Sequence, residues 1–384
     1  MALARHSALS RQGHLLRAAR SYKVASATAS NQISRSPVAM ELQSSVPHMQ
    51  LLQALKAIVS TLTTDSHKGQ AGKVGVMGGC REYSGAPFFA AMSSLRMGCD
   101  LAYVFCTPSA APVIKGYSPE LIVIPELRTV EDPLRPDHAF GDKMRPWLQR
   151  LSVLIIGPGL GDDPLVGDCM RQTVAMAREL QLPLIIDGSG LNFVAETPDI
   201  VRGCSNCLLT PNIAEFGRLA KAAGVELDGS IGVQWQQQAQ QLATALDGPL
   251  LLSKGPQDLI TDGQQLLVVR ADGSPRRCGG QGDILTGTTA AFMSWALAAQ
   301  RKQQEQQQGA AAALPPLMLA AYGGCLTMRA AAVLTFRQLG RSMLAEDMLK
   351  QLGDPVLKHA VSGPISSVEA TKDFLKTNEE AKKK

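Results

Sequence analysis

The stretch from Gly273 to Gly287 holds the residues best suited to chemistry, and its centre reads Gly279-Gly280-Gln281-Gly282-Asp283. Glycines leave successive backbone N–H groups uncovered, and an apolar run that predicts a helix begins directly after Asp283. Because a helix N-terminus carries partial positive charge, the pattern predicts an anion site with a carboxylate beside it. These five residues alone are equally compatible with a glycine turn that Asp283 caps.

Two further polar groups each follow an apolar run that is typical of a buried strand. The sequence Thr210-Pro211-Asn212 leads into a helix that carries Glu215, and Lys254-Gly255-Pro256-Gln257-Asp258 follows Leu250–Ser253. An amide and a carboxylate three residues apart on a first helical turn can face one another, so Asn212 and Glu215 are candidates to order a hydrated Mg²⁺.

A glycine-rich turn, Gly157-Pro158-Gly159-Leu160-Gly161, follows the predicted strand Val153–Ile156. Its spacing is one residue short of the dinucleotide-binding fingerprint, which makes a redox dehydrogenase the least favoured function class. The glycines instead predict a backbone that passes close to a ligand. The sequence also lacks the P-loop pattern, so any nucleotide must be held in another way.

Predicted strands alternate with predicted helices along most of the chain. At least six such units in series indicate an α/β fold with a central, mostly parallel sheet and helices on both faces. Leu259–Thr261 and Gln265–Val269 are predicted to pair as a hairpin, and Gln300–Gln308 is predicted to be an exposed loop between helices. We expect one domain over 46–360, preceded by a disordered segment (1–45) and followed by a tail (361–384).

The N-terminal segment sets the charge of the whole chain. Residues 1–40 contain six basic side chains and no Asp or Glu, and removing these six from the formal net charge of +5 leaves −1. The near-neutral remainder gives no electrostatic case for nucleic-acid binding. An Arg-, Ser- and Ala-rich segment without acids is typical of a mitochondrial transit peptide, with a cytoplasmic location as the alternative.

The eight cysteines predict reduced thiols, because the chain shows no secretory signal. Cys204 and Cys207 form a single CxxC pair without a second pair or a nearby His, which argues against a zinc site. The best candidate for a membrane span, Leu314–Met328, is too short and contains prolines and glycines, so no membrane partner is expected.

The order of these motifs resembles the ribokinase-like superfamily and, within it, the ATP-dependent NAD(P)H-hydrate dehydratases of eukaryotes. The resemblance runs from about Leu51 to Leu352. It is carried by HKGQAGKVGVMGG, YSGAP, IIGPGLG, LTPNIAEF, KGPQD and, most specifically, GSPRRCGGQGD. The resemblance implies a ribokinase-like fold, ATP as co-substrate, Mg²⁺, and the S form of hydrated NADH or NADPH as substrate.

The resemblance also implies roles for particular residues. Asp283 would activate the substrate hydroxyl, and Gly280, Gln281 and Gly282 would form the anion hole. Hydrated dinucleotide would contact Asp283 and Gly159, Gly161, Asn212, Ile213, Ala214, Glu215, Phe216, Gly217 and Arg218, with Asn212 and Glu215 also near Mg²⁺. ATP would contact Lys254, Gly255, Pro256, Gln257, Asp258, Gly273, Ser274, Arg277, Cys278, Gly279, Gly280, Gln281 and Gly282. Arg276 and Arg277 are compatible both with phosphate contacts and with solvated surface positions.

One position departs from the family pattern. The family usually has Asp-Ala-Asp-Gly after the fourth strand, where this chain has Asp187-Gly188-Ser189-Gly190, so a hydroxyl replaces the second carboxylate. A catalytically silent nucleotide-binding homologue therefore stays open as an alternative function. A kinase of a vitamin precursor or sugar is the other alternative, because it would show the same Asp and glycine turn. The expected partners are the two substrates and an NAD(P)H-hydrate epimerase, together with further copies of the chain in a homo-oligomer.

Overall fold

The structure is a computed structural model that describes residues 44–59, 64, 68–131, 138–227, 233–305 and 314–353. All of them belong to the compact unit Glu41–Lys384. Residues 1–43 of the predicted N-terminal segment, the last residues of the predicted domain (354–360) and the whole predicted tail (361–384) lie outside the described residues. So does His67, the first residue of the HKGQAGKVGVMGG motif.

The described strands form a nine-stranded sheet in the order β3-β2-β1-β4-β5-β6-β7-β8-β9. The strands are β1 (Lys73–Met77), β2 (Leu101–Phe105), β3 (Leu121–Ile124), β4 (Val153–Ile156), β5 (Leu184–Ile186), β6 (Cys207–Leu209), β7 (Leu250–Ser253), β8 (Asp258–Thr261) and β9 (Leu266–Val269). Neighbours from β3 to β7 pair in parallel, whereas β8 and β9 pair antiparallel at one edge. The prediction of a mostly parallel sheet is confirmed.

Short connections account for the antiparallel edge, since parallel strands need long crossovers. Only four residues separate β7 from β8. The predicted β8–β9 hairpin turns at Asp262, whose carboxylate accepts hydrogen bonds from the backbone N–H groups of Gln264 and Gln265. Gly263, with φ of +96°, takes the left-handed position of this turn.

Among the described residues, at least one helix lies between every two consecutive strands from β1 to β7, and three helices follow β9. The helices are α1 (His48–Ile58), α2 (Gly85–Met97), α3 (Ala111–Tyr117), α4 (His138–Leu148), α5 (Pro164–Glu179), α6 (Ser189–Glu196), α7 (Ile213–Ala222), α8 (Val233–Leu246), α9 (Gln281–Glu305), α10 (Pro316–Leu339) and α11 (Ala345–Leu349), with single 3-10 turns at Pro198–Ile200 and Gly340–Ser342.

Each face of the sheet has its own hydrophobic core. On β4, Val153 and Ile155 pack with α1, α2, α9 and α10, whereas Leu154 and Ile156 pack with α4 to α8. Successive strand residues point to opposite faces, which explains why the central strands are apolar without alternation. Because the strands are buried on both faces, the positions of their carboxyl ends are fixed, and these ends carry the polar motifs named above.

Two boundaries differ from the sequence predictions. Ser44 and Ser45, assigned to the N-terminal segment, add to the edge of the sheet: the backbone N–H of Val268 donates to the Ser44 hydroxyl and that of Leu266 to the Ser45 hydroxyl, at 2.8 and 2.9 Å. The predicted loop Gln300–Gln308 is helical as far as Glu305, because glutamine has a high helix propensity and α9 simply continues. Its last three residues lie outside the described residues.

Helix α10 is the long apolar element that follows. By length and composition the segment Pro316–Ser342 could cross a membrane, but 78% of its apolar window is buried inside the protein. It packs against α9 and against β8 and β9, as a core helix does.

Candidate functional site

The site lies at the carboxyl ends of the parallel strands. From β1, the next two strands are added on one side of the sheet, and β4 and all later strands are added on the other side. The crevice at such a topological switch point is where open α/β sheets bind ligands. Asp187 follows β5, Thr210 follows β6 and Lys254 follows β7. Because β5, β6 and β7 are neighbours in register, these three side chains come together.

Lys254 is the centre of a buried ionic cluster. Its Nζ lies 2.6 Å from Asp187 Oδ1 and 3.8 Å from Glu215 Oε2, and its side chain is 19% exposed. The Thr210 hydroxyl donates to the same Asp187 oxygen at 2.7 Å. Asp187 is thereby held in one orientation by a cation and a hydroxyl.

Asp283 joins this cluster from the first turn of α9. The preceding Gly282 is the point of close approach, since a Cβ placed there would lie 3.6 Å from Lys254 Nζ and 3.8 Å from Asp187 Oδ2. Gly280, with φ of +94°, makes the turn before α9. A Cβ at Gly280 would lie 2.5 Å from the Ala345 Cβ, so only glycine fits this position.

Three carboxyl groups stand around one ammonium group, and burial together with these charges shifts the pKa values of Asp283, Glu215 and Lys254. Burial raises the pKa of Asp283 to about 7, and the negative charge of Asp187 adds to the effect while Lys254 opposes it. Burial also raises the pKa of Glu215, against the opposing influence of Lys254. For Lys254 itself, burial works to lower the pKa, but Asp187 and Glu215 outweigh burial and raise it. A carboxyl group poised near neutral pH is suited to accept a proton.

Asn212 and Glu215 face one another, as predicted, but in a capping box. The Asn212 side-chain oxygen accepts hydrogen bonds from the backbone N–H groups of Ala214 and Glu215, and a Glu215 oxygen accepts one from the backbone N–H of Asn212. Both lone pairs of the Asn212 oxygen are thus engaged by the helix. Of the two predicted metal ligands, Glu215 keeps the greater capacity to meet a cation.

A cleft of about 610 Å³ opens next to the cluster. It brings together three stretches that the sequence placed at nucleotide or substrate: the start of α7, the loop after β7, and the glycine turn before α9. The predicted residues that line it are Asn212, Ile213, Ala214, Lys254, Gly255, Pro256, Asp258, Gly273, Ser274, Arg277, Cys278, Gln281 and Gly282. The Gln281 amide donates to the Arg276 carbonyl and closes the turn.

The turn after β4 packs tightly on its neighbours. A Cβ at Gly159 would lie 2.8 Å from the Tyr83 carbonyl oxygen, and one at Gly161 would lie 3.2 Å from Cys80 Sγ. Gly157, with φ of +125°, would place a Cβ 1.7 Å from the Asp187 carbonyl oxygen. These glycines let the turn pack closely against the segment 80–83 and the backbone after β5, whereas its approach to a ligand stays a prediction.

Several predicted residues lie elsewhere. Phe216 is completely buried and stacks on Trp235, so its side chain belongs to the core. Gly161 and Arg218 line a separate surface cavity of about 700 Å³, whereas Gln257 and Gly279 are exposed and do not line the cleft.

Sequence reasoning left two residues of this region without a role. Asp187 is 4% exposed and pairs with Lys254, and its position directly after a buried strand was the available signal. Arg329, on α10, lines the cleft from within a long apolar stretch. It gave no such signal, because its partners are distant in sequence.

The eight cysteines are free thiols, as predicted, and all of them belong to the described part of the chain. Within that part, no group of three or more His, Cys, Asp or Glu side chains is arranged to hold a metal ion.

Comparison with known proteins assigns this arrangement to one family. Residues 74–353 match the model of a family described as NAD(P)H-hydrate dehydratase. An ATP-dependent (S)-NAD(P)H-hydrate dehydratase from Bos taurus is 42% identical over 304 residues, covering 79% of this chain and 87% of its own length. One from Vitis vinifera is 43% identical over 320 residues, covering 80% and 89%.

Solved structures agree on the fold. A ribokinase-like superfamily protein from Enterococcus faecalis has a TM-score of 0.60 at 19% identity, covering 80% of this chain and 94% of its own. An ADP/ATP-dependent NAD(P)H-hydrate dehydratase from Bacillus subtilis, co-crystallised with ATP and Mg²⁺, has a TM-score of 0.55 at 18% identity, covering 80% and 95%. The predicted ribokinase-like fold is confirmed.

Proposed function

Because the chain belongs to the NAD(P)H-hydrate dehydratase family, we propose that it catalyses the ATP-dependent dehydration of the S form of hydrated NADH and NADPH. The products are NADH or NADPH, ADP and phosphate, which makes the enzyme a carbon–oxygen lyase that repairs a damaged cofactor. One observation carries this proposal: a carboxyl group with a pKa of about 7 stands at a glycine turn beside a nucleotide-sized cleft.

Asp283 is the base in the first step. It takes the proton of the substrate hydroxyl as the hydroxyl oxygen bonds to the γ-phosphorus of ATP, and the bond between that phosphorus and the β–γ bridging oxygen breaks to release ADP. The ring nitrogen then pushes electrons towards the carbon that bears the phosphate, phosphate leaves, and loss of a proton from the neighbouring carbon restores the double bond. The overall loss is one water, with its oxygen in the phosphate.

The glycine turn supplies hydrogen-bond donors for the phosphoryl group while it is transferred. Backbone N–H groups of Gly280, Gln281 and Gly282 stand at the N-terminus of α9, which carries the positive end of the helix dipole. Their position is fixed before the substrate arrives, because Gly280 is packed against Ala345. Fixed donors of this kind cost little reorganisation when negative charge develops.

From the sequence, Lys254 is predicted to be among the ATP contacts, and we propose a further role for it. Its ammonium group is paired with Asp187 and lies close to Glu215 and Gly282. We place it at the junction between the carboxylates and the transferred phosphoryl group. There it favours the ionised form of Asp283 and offsets the charge of the phosphate.

Mg²⁺ fits the donor set. Three carboxyl groups around one ammonium group leave an excess of negative charge beside the cleft, which a divalent cation would offset. Glu215 would hold the ion together with nucleotide phosphates and water, and Asn212 would contact it through water. The ion would supply charge neutralisation for the phosphates of ATP.

The ionic cluster is complete without a carboxylate at position 189. Asp187 makes the contacts with Lys254 and Thr210, whereas Ser189 begins α6. We therefore propose an active enzyme and not a silent homologue, with Arg277 at the ATP phosphates because it lines the cleft.

Three finer proposals concern the cellular setting. The basic segment 1–45 would direct the chain to mitochondria, which a fusion of these residues to a fluorescent reporter tests; a diffuse cytosolic signal contradicts it. Preference for the S form would require an epimerase to convert the R form.

The chain would also form a homo-oligomer. Light scattering of the full chain tests this, and the mass of a monomer would contradict it.

A heavy-oxygen label in the substrate hydroxyl tests the reaction. The proposal predicts that the label appears in inorganic phosphate and that unlabelled NADH forms. A kinase of this fold would keep the label in a stable phosphorylated product, which would overturn the proposal. Label released into water would exclude phosphorylation of the hydroxyl.

A further inference from the structure

Arg329 makes an unusual set of contacts for a residue on a core helix. Its side chain is 4% exposed, and three of its nitrogens donate hydrogen bonds. Nε donates to Asp258 Oδ2 at 2.7 Å, Nη2 to the Gly255 carbonyl at 2.8 Å, and Nη1 to both the Pro256 and Ala271 carbonyls at 3.0 Å. Every acceptor lies on a segment that leads into the cleft.

These contacts join two chain segments that flank the hairpin of β8 and β9, one before β8 and one after β9. One is the loop 254–258, which Asp258 also closes by accepting the backbone N–H of Gly255 at 3.1 Å. The other is the strand exit at Ala271, two residues before Gly273, where a Cβ would lie 3.4 Å from Arg329 Nη1. Both segments line the cleft, together with Arg329 itself.

We propose that Arg329 is the positioning residue of the ATP site: it sets the loop 254–258 and the segment 271–274 at the separation that nucleotide requires. The proposal rests on the proposed function for the identity of the nucleotide. It follows from the chemistry of the acceptors, because three main-chain carbonyls and one carboxylate at different angles call for a planar fork of donors. A lysine at this position would present its donors from a single atom and could not reach all four acceptors.

The proposal predicts that the loss of Arg329 changes the Michaelis constant for ATP but not that for the hydrated dinucleotide. Arg329 contacts the segments assigned to ATP, whereas the turn 157–161 and the start of α7 are held by other contacts. Loosening of the loop should weaken ATP binding and leave the other substrate largely unaffected. A residue that served stability alone would change neither constant selectively.

The test compares Arg329→Lys and Arg329→Met with wild type in the full chain. Direct titration with Mg·ATP should show a dissociation constant raised about tenfold or more, with the Met variant affected more than the Lys variant. The KM for ATP should rise in parallel, and the KM for hydrated NADH should stay within about twofold of the wild-type value. Hydrogen exchange of the loop 254–258 should become faster.

Leu326→Ala is the matched control, because Leu326 is a buried residue of the same helix that does not line the cleft. It should lower Tm by leaving a cavity and leave ATP affinity unchanged. The proposal fails if both Arg329 variants bind ATP within about twofold of wild type, or if Leu326→Ala weakens ATP binding equally.

The outcome for Arg329 is separable from that for the reaction. Direct titration measures ATP binding whether or not NADH is restored. If wild type binds ATP but restores no NADH, the proposed function is wrong. The role of Arg329 is still decided by the ATP affinities of its variants.

Discussion

Replacement of Asp283 by Asn should lower activity strongly and, above neutral pH, stabilise the fold. The folded-state pKa of Asp283 is raised from 3.8 to about 7, chiefly by burial. The folded state therefore holds a proton that the unfolded chain releases over this range. Ionisation of Asp283 therefore costs wild type stability as the pH rises from about 4 to about 7, whereas a neutral amide at this position carries no such cost.

The size of the effect follows from the shift. Each pKa unit corresponds to about 1.4 kcal/mol, so a rise to about 7 corresponds to at most about 4 kcal/mol above neutral pH. Asp283→Asn should accordingly have the higher Tm at about pH 8 and a Tm close to that of wild type at about pH 4. If Asp283 were only a helix cap, the sign would be reversed, since loss of a first-turn carboxylate weakens a helix.

The assays are thermal unfolding at several pH values and steady-state kinetics. The kcat/KM of wild type should rise with pH to a plateau with a midpoint near 7, and that of Asp283→Asn should be lower by about 10²–10⁴-fold. Asp168→Asn, which changes an exposed carboxylate paired with Arg171, is the control and should alter neither quantity. Activity of Asp283→Asn within about twofold of wild type, or a Tm difference independent of pH, would refute the reasoning.

Three further changes test the surroundings of the base. Lys254→Met removes the cation that lowers the pKa of Asp283, so the midpoint of the kcat/KM profile should move above 7 and kcat/KM should fall at least about 100-fold; an unmoved midpoint would contradict the ionic cluster. Thr210→Val removes the hydroxyl that donates to Asp187 at 2.7 Å and should cost about 1.5–3 kcal/mol in denaturant unfolding; a neutral result would mean that this bond adds no stability. Gly157→Ala forces a Cβ to within 1.7 Å of a backbone oxygen at φ of +125°, and should lower stability by roughly 3 kcal/mol or more; a wild-type Tm would show that the turn can move aside.

The fold was predictable because its signals are local. The strands Val153–Ile156 and Leu250–Ser253 begin and end where the sequence predicted them, since each is an apolar run bounded by polar or turn residues. The end of α9 was not predictable in this way. A glutamine-rich stretch resembles a loop in composition, although glutamine is compatible with a solvated helix.

The site was predictable where it depends on glycine turns and strand ends. The glycine turn, the loop 254–258 and the start of α7 do meet at one cleft. Side-chain direction was harder to foresee: Phe216 sits one position after Glu215, yet the turn of the helix sends it into the core. The fourfold contacts of Arg329 depend on the packing of α10, which no motif near that residue encodes.

The proposed reaction repairs a hydrated dinucleotide at the expense of ATP. It is tested by incubating the full chain with the S form of hydrated NADH, Mg²⁺ and ATP while NADH absorbance, ADP and phosphate are followed together. We expect all three to rise in equal amounts and none to rise without ATP. NADH that returns without ATP, or ADP that forms while a phosphorylated hydrate accumulates, would contradict the proposed reaction.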